Sequence, residues 1–173
     1  KHYCRLCKKD DVSHFGRDCP EGVDLWHGTR ITNLSGISQN HGLFTSGAGC
    51  RLGQGVYFAS KEVATAGLST EETEQDRNHV LPRRLGNMKN CGNAEDNTWH
   101  GSHDSATSVH PAWAGAPAFT EYCLGDGRRH RIKEVHIIGG TVDGEVYLPR
   151  VDIKIKGNVT FNCNVTAGNL CIG

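Results

Sequence analysis

Three short stretches constrain this chain more than anything else in it: Leu25-Trp26-His27-Gly28-Thr29-Arg30, Gly53-Gln54-Gly55-Val56-Tyr57-Phe58-Ala59-Ser60 and Phe119-Thr120-Glu121-Tyr122-Cys123-Leu124. Each sets one polar side chain, His27, Tyr57 or Glu121, inside an apolar, β-favouring run. Three strands can thus carry an imidazole, a phenol and a carboxylate to one cleft. The combination suits a nucleotide sugar. An imidazole hydrogen-bonds a ribose hydroxyl or a phosphate, a tyrosine ring stacks on a flat heterocycle, and a carboxylate stabilises positive charge developing at a sugar C1. Taken singly, His27 and Tyr57 read as core side chains and Glu121 as the solvent side of an edge strand. The set overturns those defaults. A second Trp-His-Gly, in Thr98-Trp99-His100-Gly101-Ser102, lies in polar sequence and has no such company.

In this order the stretches resemble the His-Tyr-Glu triad of the poly(ADP-ribose) polymerase type of ADP-ribosyltransferase, over residues 23–138. The resemblance implies an α+β fold, an ADP-ribosyltransferase-like split β-sheet core with two short helices. It implies that His27 holds the adenosine ribose of NAD+, that the Gly28 backbone clamps the nicotinamide amide, and that Tyr57 stacks on the nicotinamide ring. Thr65 stands where a hydroxyl completes the amide contact. Leu68 stands where a second aromatic is usual; it keeps an apolar wall and forgoes stacking worth roughly 0.5–1.5 kcal/mol. Thr29 and Arg30 extend the cofactor-binding strand end, with Arg30 facing either the pyrophosphate or a local carboxylate. Glu121 takes the catalytic place. The implied activity is that of a glycosyltransferase of the pentosyl-transfer kind. It moves ADP-ribose, as a single unit, from NAD+ to a protein or nucleic-acid acceptor and releases nicotinamide. An NAD+ glycohydrolase, or a catalytically weak module that binds NAD+ or ADP-ribose, are the alternatives.

A separate pattern precedes these stretches. Cys4, Cys7, His14 and Cys19 read C-x2-C-x6-H-x4-C. Three thiolates and an imidazole make the closed tetrahedral set of one structural zinc, and too few apolar residues lie between them to build a core without metal. The segment resembles the CCHC zinc knuckle of RNA-binding proteins, with a Cys-His gap of six residues in place of four. Tyr3, Phe15, Lys1, Arg5, Lys8, Lys9 and Arg17 are the candidates for contact with a single-stranded nucleic acid. A zinc staple that anchors the catalytic domain is the competing role. The chain as a whole carries 19 Lys and Arg against 19 Asp and Glu, which is not the basic footprint of a dedicated nucleic-acid binder.

The even count of 8 cysteines, with Asn33, Asn158 and Asn164 in glycosylation-acceptor tripeptides, offers a rival reading as a secreted disulfide protein. No signal peptide is visible, and Asn33 falls in the helix expected beside the cofactor. The reading therefore favours an intracellular location, cytoplasmic or nuclear, with Cys50, Cys91, Cys123, Cys163 and Cys171 as free thiols. No apolar run is long enough to span a bilayer.

The domain plan that follows is a zinc module over residues 1–22 and a catalytic domain over 23–173. Helices are expected from Thr32 to Gln39, capped at Gly42, and from Ser60 through Glu62 to Leu68. Residues 69–118 are rich in Asn, His, Gly and Ser and read as a long loop insertion. Four of its histidines, with Cys91, form a weaker metal candidate. Beyond it, residues 131–138, 145–148, 151–156 and 158–165 alternate as strands do, the last ones in a C-terminal stretch, 139–173, with no functional assignment.

Overall fold

The computed structural model describes residues 1–4, 7–15, 18–20, 22–45, 50–59, 76–83, 85–111 and 118–173; for 76–83 and Arg129 it describes the backbone alone. Among the described residues the architecture is mostly β with one short α-helix. A five-stranded sheet takes the order β13-β11-β9-β5-β3, formed by β13 (Val165–Ile172), β11 (Val146–Ile155), β9 (His130–Ile137), β5 (Asp76–Arg83) and β3 (Leu25–Trp26). A four-stranded sheet takes the order β4-β8-β7-β6, formed by β4 (Val56–Phe58), β8 (Phe119–Leu124), β7 (Ser105–His110) and β6 (Met88–Asn90). A single antiparallel bridge, Trp26 to Ala59, joins the two at the ends of β3 and β4. That junction brings the first two sequence stretches together.

One helix, α1 (Leu34–Gln39), covers the main core. Leu34 and Ile37 point into a cluster with Val56, Phe58, Leu124, Val135, Ile137 and Ile153, each at most 2% exposed. The helix ends at Gln39 as expected, but its left-handed cap falls one residue before the glycine. His41, at φ 58°, takes the left-handed position, and the Gly42 N–H closes back on the Ile37 carbonyl at 3.1 Å while the His41 N–H reaches Ser38. This is the two-bond C-terminal motif in which a glycine normally occupies the place His41 has here. The second expected helix lies outside the described residues.

Residues 76–83 and 85–110 are not one long loop. They supply β5, a central strand between β9 and β3, as well as β6 and β7. Polarity concealed them. β5 holds Pro82, which falls where the pairing with β9 is irregular, between Val80↔Ile132 and Arg83↔His130, so its missing N–H costs no regular ladder bond. β7 is buried on both faces and carries hydroxyls on each: Ser105 donates to the Leu85 carbonyl and Thr107 to the Glu121 carbonyl on one, Ser108 to the Ala94 carbonyl on the other, at 2.7, 3.0 and 2.9 Å. Small hydroxyls satisfied by backbone oxygens can be buried at little cost. They leave no hydrophobic alternation to read.

The C-terminal stretch is two stacked coils. β10 (Gly140–Asp143) pairs in parallel with β12 (Val159–Asn162), and β11 pairs in parallel with β13. The expected strands at 145–148 and 151–156 are one continuous strand, β11. The N-terminal residues form a separate small hairpin, β1 (His2–Cys4) with β2 (Lys9–Val12). Among the described residues no helix is long and apolar enough to cross a membrane.

Candidate active site and metal centre

His27 leaves the end of β3 at the sheet junction. Its Nδ1–H donates to the Tyr57 carbonyl at 2.8 Å, the tautomer that leaves Nε2 as an acceptor. Burial lowers its pKa against the opposing pull of that bond, which keeps the ring neutral at pH 7. Gly28 and Thr29 follow, half-buried, and Thr29 Oγ1 accepts from Asn33 Nδ2 at 2.8 Å. Arg30 is exposed at the start of the next helical turn.

Tyr57 is fixed from behind. Its hydroxyl accepts from the Leu52 N–H at 3.0 Å and donates to the Gly53 carbonyl at 2.5 Å, and its ring leans on Leu52, Trp99, Ala106 and Cys123. Burial pushes the phenol well above its usual range, so it stays protonated. Both glycines before it are required. Gly53 has φ +77°, and a Cβ on Gly55 would lie 2.3 Å from Cys123 Sγ and 2.7 Å from the Leu124 carbonyl oxygen. The second Trp-His-Gly braces this turn: Trp99 Nε1 donates to the Leu52 carbonyl at 2.8 Å and His100 Nε2 to Gln54 at 2.6 Å. It is a scaffold for Tyr57, not a second site.

Cross-strand register sets Glu121 beside Tyr57. Tyr57 pairs with Cys123, and side chains two apart on β8 share a face. One further step of the same register places Glu121 opposite Ala59, the residue bridged to Trp26. Glu121 Oε2 is buried and, unlike every other described side-chain polar atom at that depth, has no hydrogen-bond partner. Burial raises the Glu121 pKa, and the charges of His110 and Arg51 oppose the rise. Its cross-strand neighbour is Ser108. Arg51 donates through Nε to Ser108 Oγ at 3.3 Å and through Nη2 to the Asn93 carbonyl, while His110 stacks on Phe119 at 4.9 Å. The sequence did not mark Arg51 or Ser108, because their nearness to Glu121 depends on β7, a strand that its polar composition hid. The Cys123 thiol on this face is pushed up to about 12, chiefly by burial, so it is not a nucleophile. Thr65 and Leu68 lie outside the described residues.

A cleft of about 1340 Å³ opens elsewhere, lined among others by Gly42, Leu43, His100, Asp126 and Arg150. None of His27, Tyr57 and Glu121 lines it, and its buried histidine, His130, is already engaged by the Leu43 N–H and the Gly127 carbonyl.

Cys4, Cys7, His14 and Cys19 converge, with one donor atom from each lying within 4.8 Å of all the others. Cys7 Sγ is 3.6 Å from His14 Nε2, and the three thiols are 1–6% exposed. A tetrahedral zinc with sulfur ligands at about 2.3 Å holds them roughly 3.8 Å apart, so the set fits that ion. His2 Nε2 reaches the His14 carbonyl at 2.5 Å and orients the histidine's chain. Phe15 stacks on His2 and carries the Arg150 guanidinium 4.2 Å from its ring centre. That engages a side chain expected to be open to a base.

Comparison with known families gives one match, the poly(ADP-ribose) polymerase catalytic domain, over residues 8–95, just over half of the 173. The chain belongs to this family. The match includes His27 and Tyr57 and ends before β8. No curated protein matches the chain. The family is one of NAD+ ADP-ribosyltransferases, whose members take NAD+ as substrate and modify macromolecular acceptors.

Proposed function

We propose that this chain cleaves NAD+ and transfers a single ADP-ribose to a protein or nucleic-acid acceptor. The observation that carries the reading is the orphaned Oε2 of Glu121. A buried carboxylate oxygen without a partner costs stability, and it is retained here on the face it shares with Tyr57. In this reading the oxygen accepts from the 2-hydroxyl of the nicotinamide ribose and stabilises the oxocarbenium-like transition state as neutral nicotinamide departs. Tyr57 carries the nicotinamide on its ring. His27 Nε2 accepts from the adenosine ribose, with Gly28 and Thr65 at the amide and Leu68 as the second wall. Arg30 serves either the pyrophosphate or a local carboxylate. An acceptor nucleophile then attacks C1 from the opposite face.

Incubation with labelled NAD+, with and without protein and RNA acceptors, tests this. Nicotinamide released in step with singly labelled acceptor is expected. Release without label on the acceptor identifies a glycohydrolase, and binding without release identifies a ligand-holding module.

Cys4, Cys7, His14 and Cys19 hold one structural zinc in the same reading, and the domains divide near residue 22. Support comes from the donor set and its spacing. When bound, the metal would close the hairpin. Metal analysis of the purified chain should give one zinc, lost in Cys7→Ser.

A further inference from the structure

The cleft of about 1340 Å³ that holds none of His27, Tyr57 and Glu121 is lined by Arg128, Arg131 and Arg150 against one carboxylate, Asp126. Through His100, Gly125, Asp126 and Arg128 it shares its lining with a second cleft of about 640 Å³, which adds Tyr3 and Lys8 of the N-terminal hairpin and Asp104. The joined groove thus presents four cations and two carboxylates, in a chain whose formal net charge is zero. Its arginines concentrate a positive field that the whole-chain balance conceals. A small-molecule site typically measures roughly 300–1000 Å³, so the groove suits a longer ligand.

Local structure turns these groups outward. Asp126 Oδ1 accepts from both the N–H and the Nε of Arg128 at 3.1 Å, which fixes that guanidinium, and Arg131 Nη1 donates to the Arg128 carbonyl at 2.9 Å. On β11 strict alternation would turn Arg150 inward with Leu148; the irregularity between Leu148 and Asp152 leaves Pro149 and Arg150 both exposed, after the exposed Tyr147. The exposed aromatics gather in the same place. Among the described residues they are Tyr3, Phe15, Phe44 and Tyr147, each 42–57% exposed. Tyr3, Phe44 and Tyr147 line the groove, and Phe15 carries the Arg150 guanidinium at 4.2 Å. Exposed apolar side chains scattered singly are ordinary, but a convergent set marks an interaction surface.

From this interleaving of cations with exposed rings we infer that the groove binds a single-stranded nucleic acid, with phosphates on Arg128, Arg131, Arg150 and Lys8 and bases stacked on Phe44, Tyr147 and Tyr3. The rings choose the occupant. Arginines alone attract any polyanion, but a duplex keeps its base faces stacked inside and an acidic peptide has no flat rings to offer. The bound strand passes the turn that holds Tyr57, because His100, which lines both clefts, donates to the Gln54 carbonyl of that turn at 2.6 Å. The inference stands apart from the reading of the NAD+ site.

Fluorescence anisotropy of the full chain, titrated into labelled RNA and DNA strands of about 12 nucleotides that cannot self-pair, tests this. Single strands should bind, with log affinity falling against log salt by about 0.7 for each phosphate contacted. A duplex of the same sequence and a polyglutamate peptide should bind at least about tenfold more weakly. Phe44→Ala and Tyr147→Ala change exposed side chains, so thermal melts should show the fold intact, and each should weaken single-strand binding about 5- to 150-fold. Tyr147→Trp should keep it, since a ring is restored. Arg131→Gln should reduce the salt slope by about 0.7. Failure of both strands to bind, a duplex or polyglutamate held as tightly as the single strand, or an affinity unmoved by Phe44→Ala and Tyr147→Ala together would each overturn the inference. None of these measurements involves NAD+, so their failure leaves the proposed reaction untouched.

Discussion

At the scale of the residue, the proposed reaction turns on Glu121, a carboxylate held where it costs stability. Glu121→Gln keeps the shape and removes the charge, and should lower the rate of nicotinamide release by ~10²–10³-fold, the size of losing one preorganised electrostatic group. NAD+ affinity should hardly change, because the interaction belongs to the transition state; a near-native rate in that variant would place the chemistry elsewhere. The pH dependence follows from the raised pKa. The proposed reaction needs the ionised form, so the acid limb of kcat/KM is expected above the ordinary glutamate value of about 4.3. Stability runs the other way. A raised folded pKa means that the folded state holds its proton more tightly, so stability is lost as pH rises through that pKa. Thermal melts should show Glu121→Gln more stable than wild type at neutral pH, with the advantage vanishing below about pH 4. His27→Ala and Tyr57→Ala should weaken NAD+ binding as well as rate.

At the scale of the element, two positions test how the backbone sets the site, with opposite signs. A methyl on Gly55 meets the Cys123 sulfur and the Leu124 carbonyl oxygen, a backbone atom that cannot swing aside. Gly55→Ala should cost about 1–3 kcal/mol and shift the Tyr57 turn. His41 occupies a left-handed position with a side chain, and His41→Gly should stabilise by roughly 0.5–1 kcal/mol. Denaturant titration with unchanged slope checks both. These elements also show what the sequence disclosed. The strands bearing Tyr57 and Glu121, the helix at 34–39 and strands β9 and β11 were legible, because apolar alternation or periodicity marks a half-buried face. β5 and β7 were not, since one carries a proline and charges and the other buries hydroxyls satisfied by backbone carbonyls. With β7 went the surroundings of Glu121: Arg51 and Ser108 gain meaning only when Ser108 is seen opposite Glu121. The convergence of Cys4, Cys7, His14 and Cys19 was legible by spacing, because four donor side chains so close in sequence leave the chain few ways to keep them apart.

At the scale of the whole molecule, the open matter is what the N-terminal hairpin does for the rest. Its buried thiols form a cluster with Val12 that shares no residue with the core packed under α1. Phe15 against Arg150 on β11 is a described tie to the domain, worth about 0.5–1 kcal/mol at an exposed site. Tyr3 and Lys8 line a second cleft with His103, Asp104, Gly125 and Arg128, so the hairpin faces loops next to β7 and β8 without entering the core. The hairpin should therefore be a folding unit of its own, dependent on its metal because its few apolar residues cannot order it. Treatment with a zinc chelator, or Cys7→Ser, should abolish amide-exchange protection in β1 and β2. The melting midpoint of the β domain should fall by only a few degrees, the scale of about 1 kcal/mol in a chain of this size. Nicotinamide release should persist, while any modification of a nucleic-acid acceptor that depends on the hairpin should drop. If chelation instead unfolds the whole domain, the hairpin is a staple for the catalytic sheet.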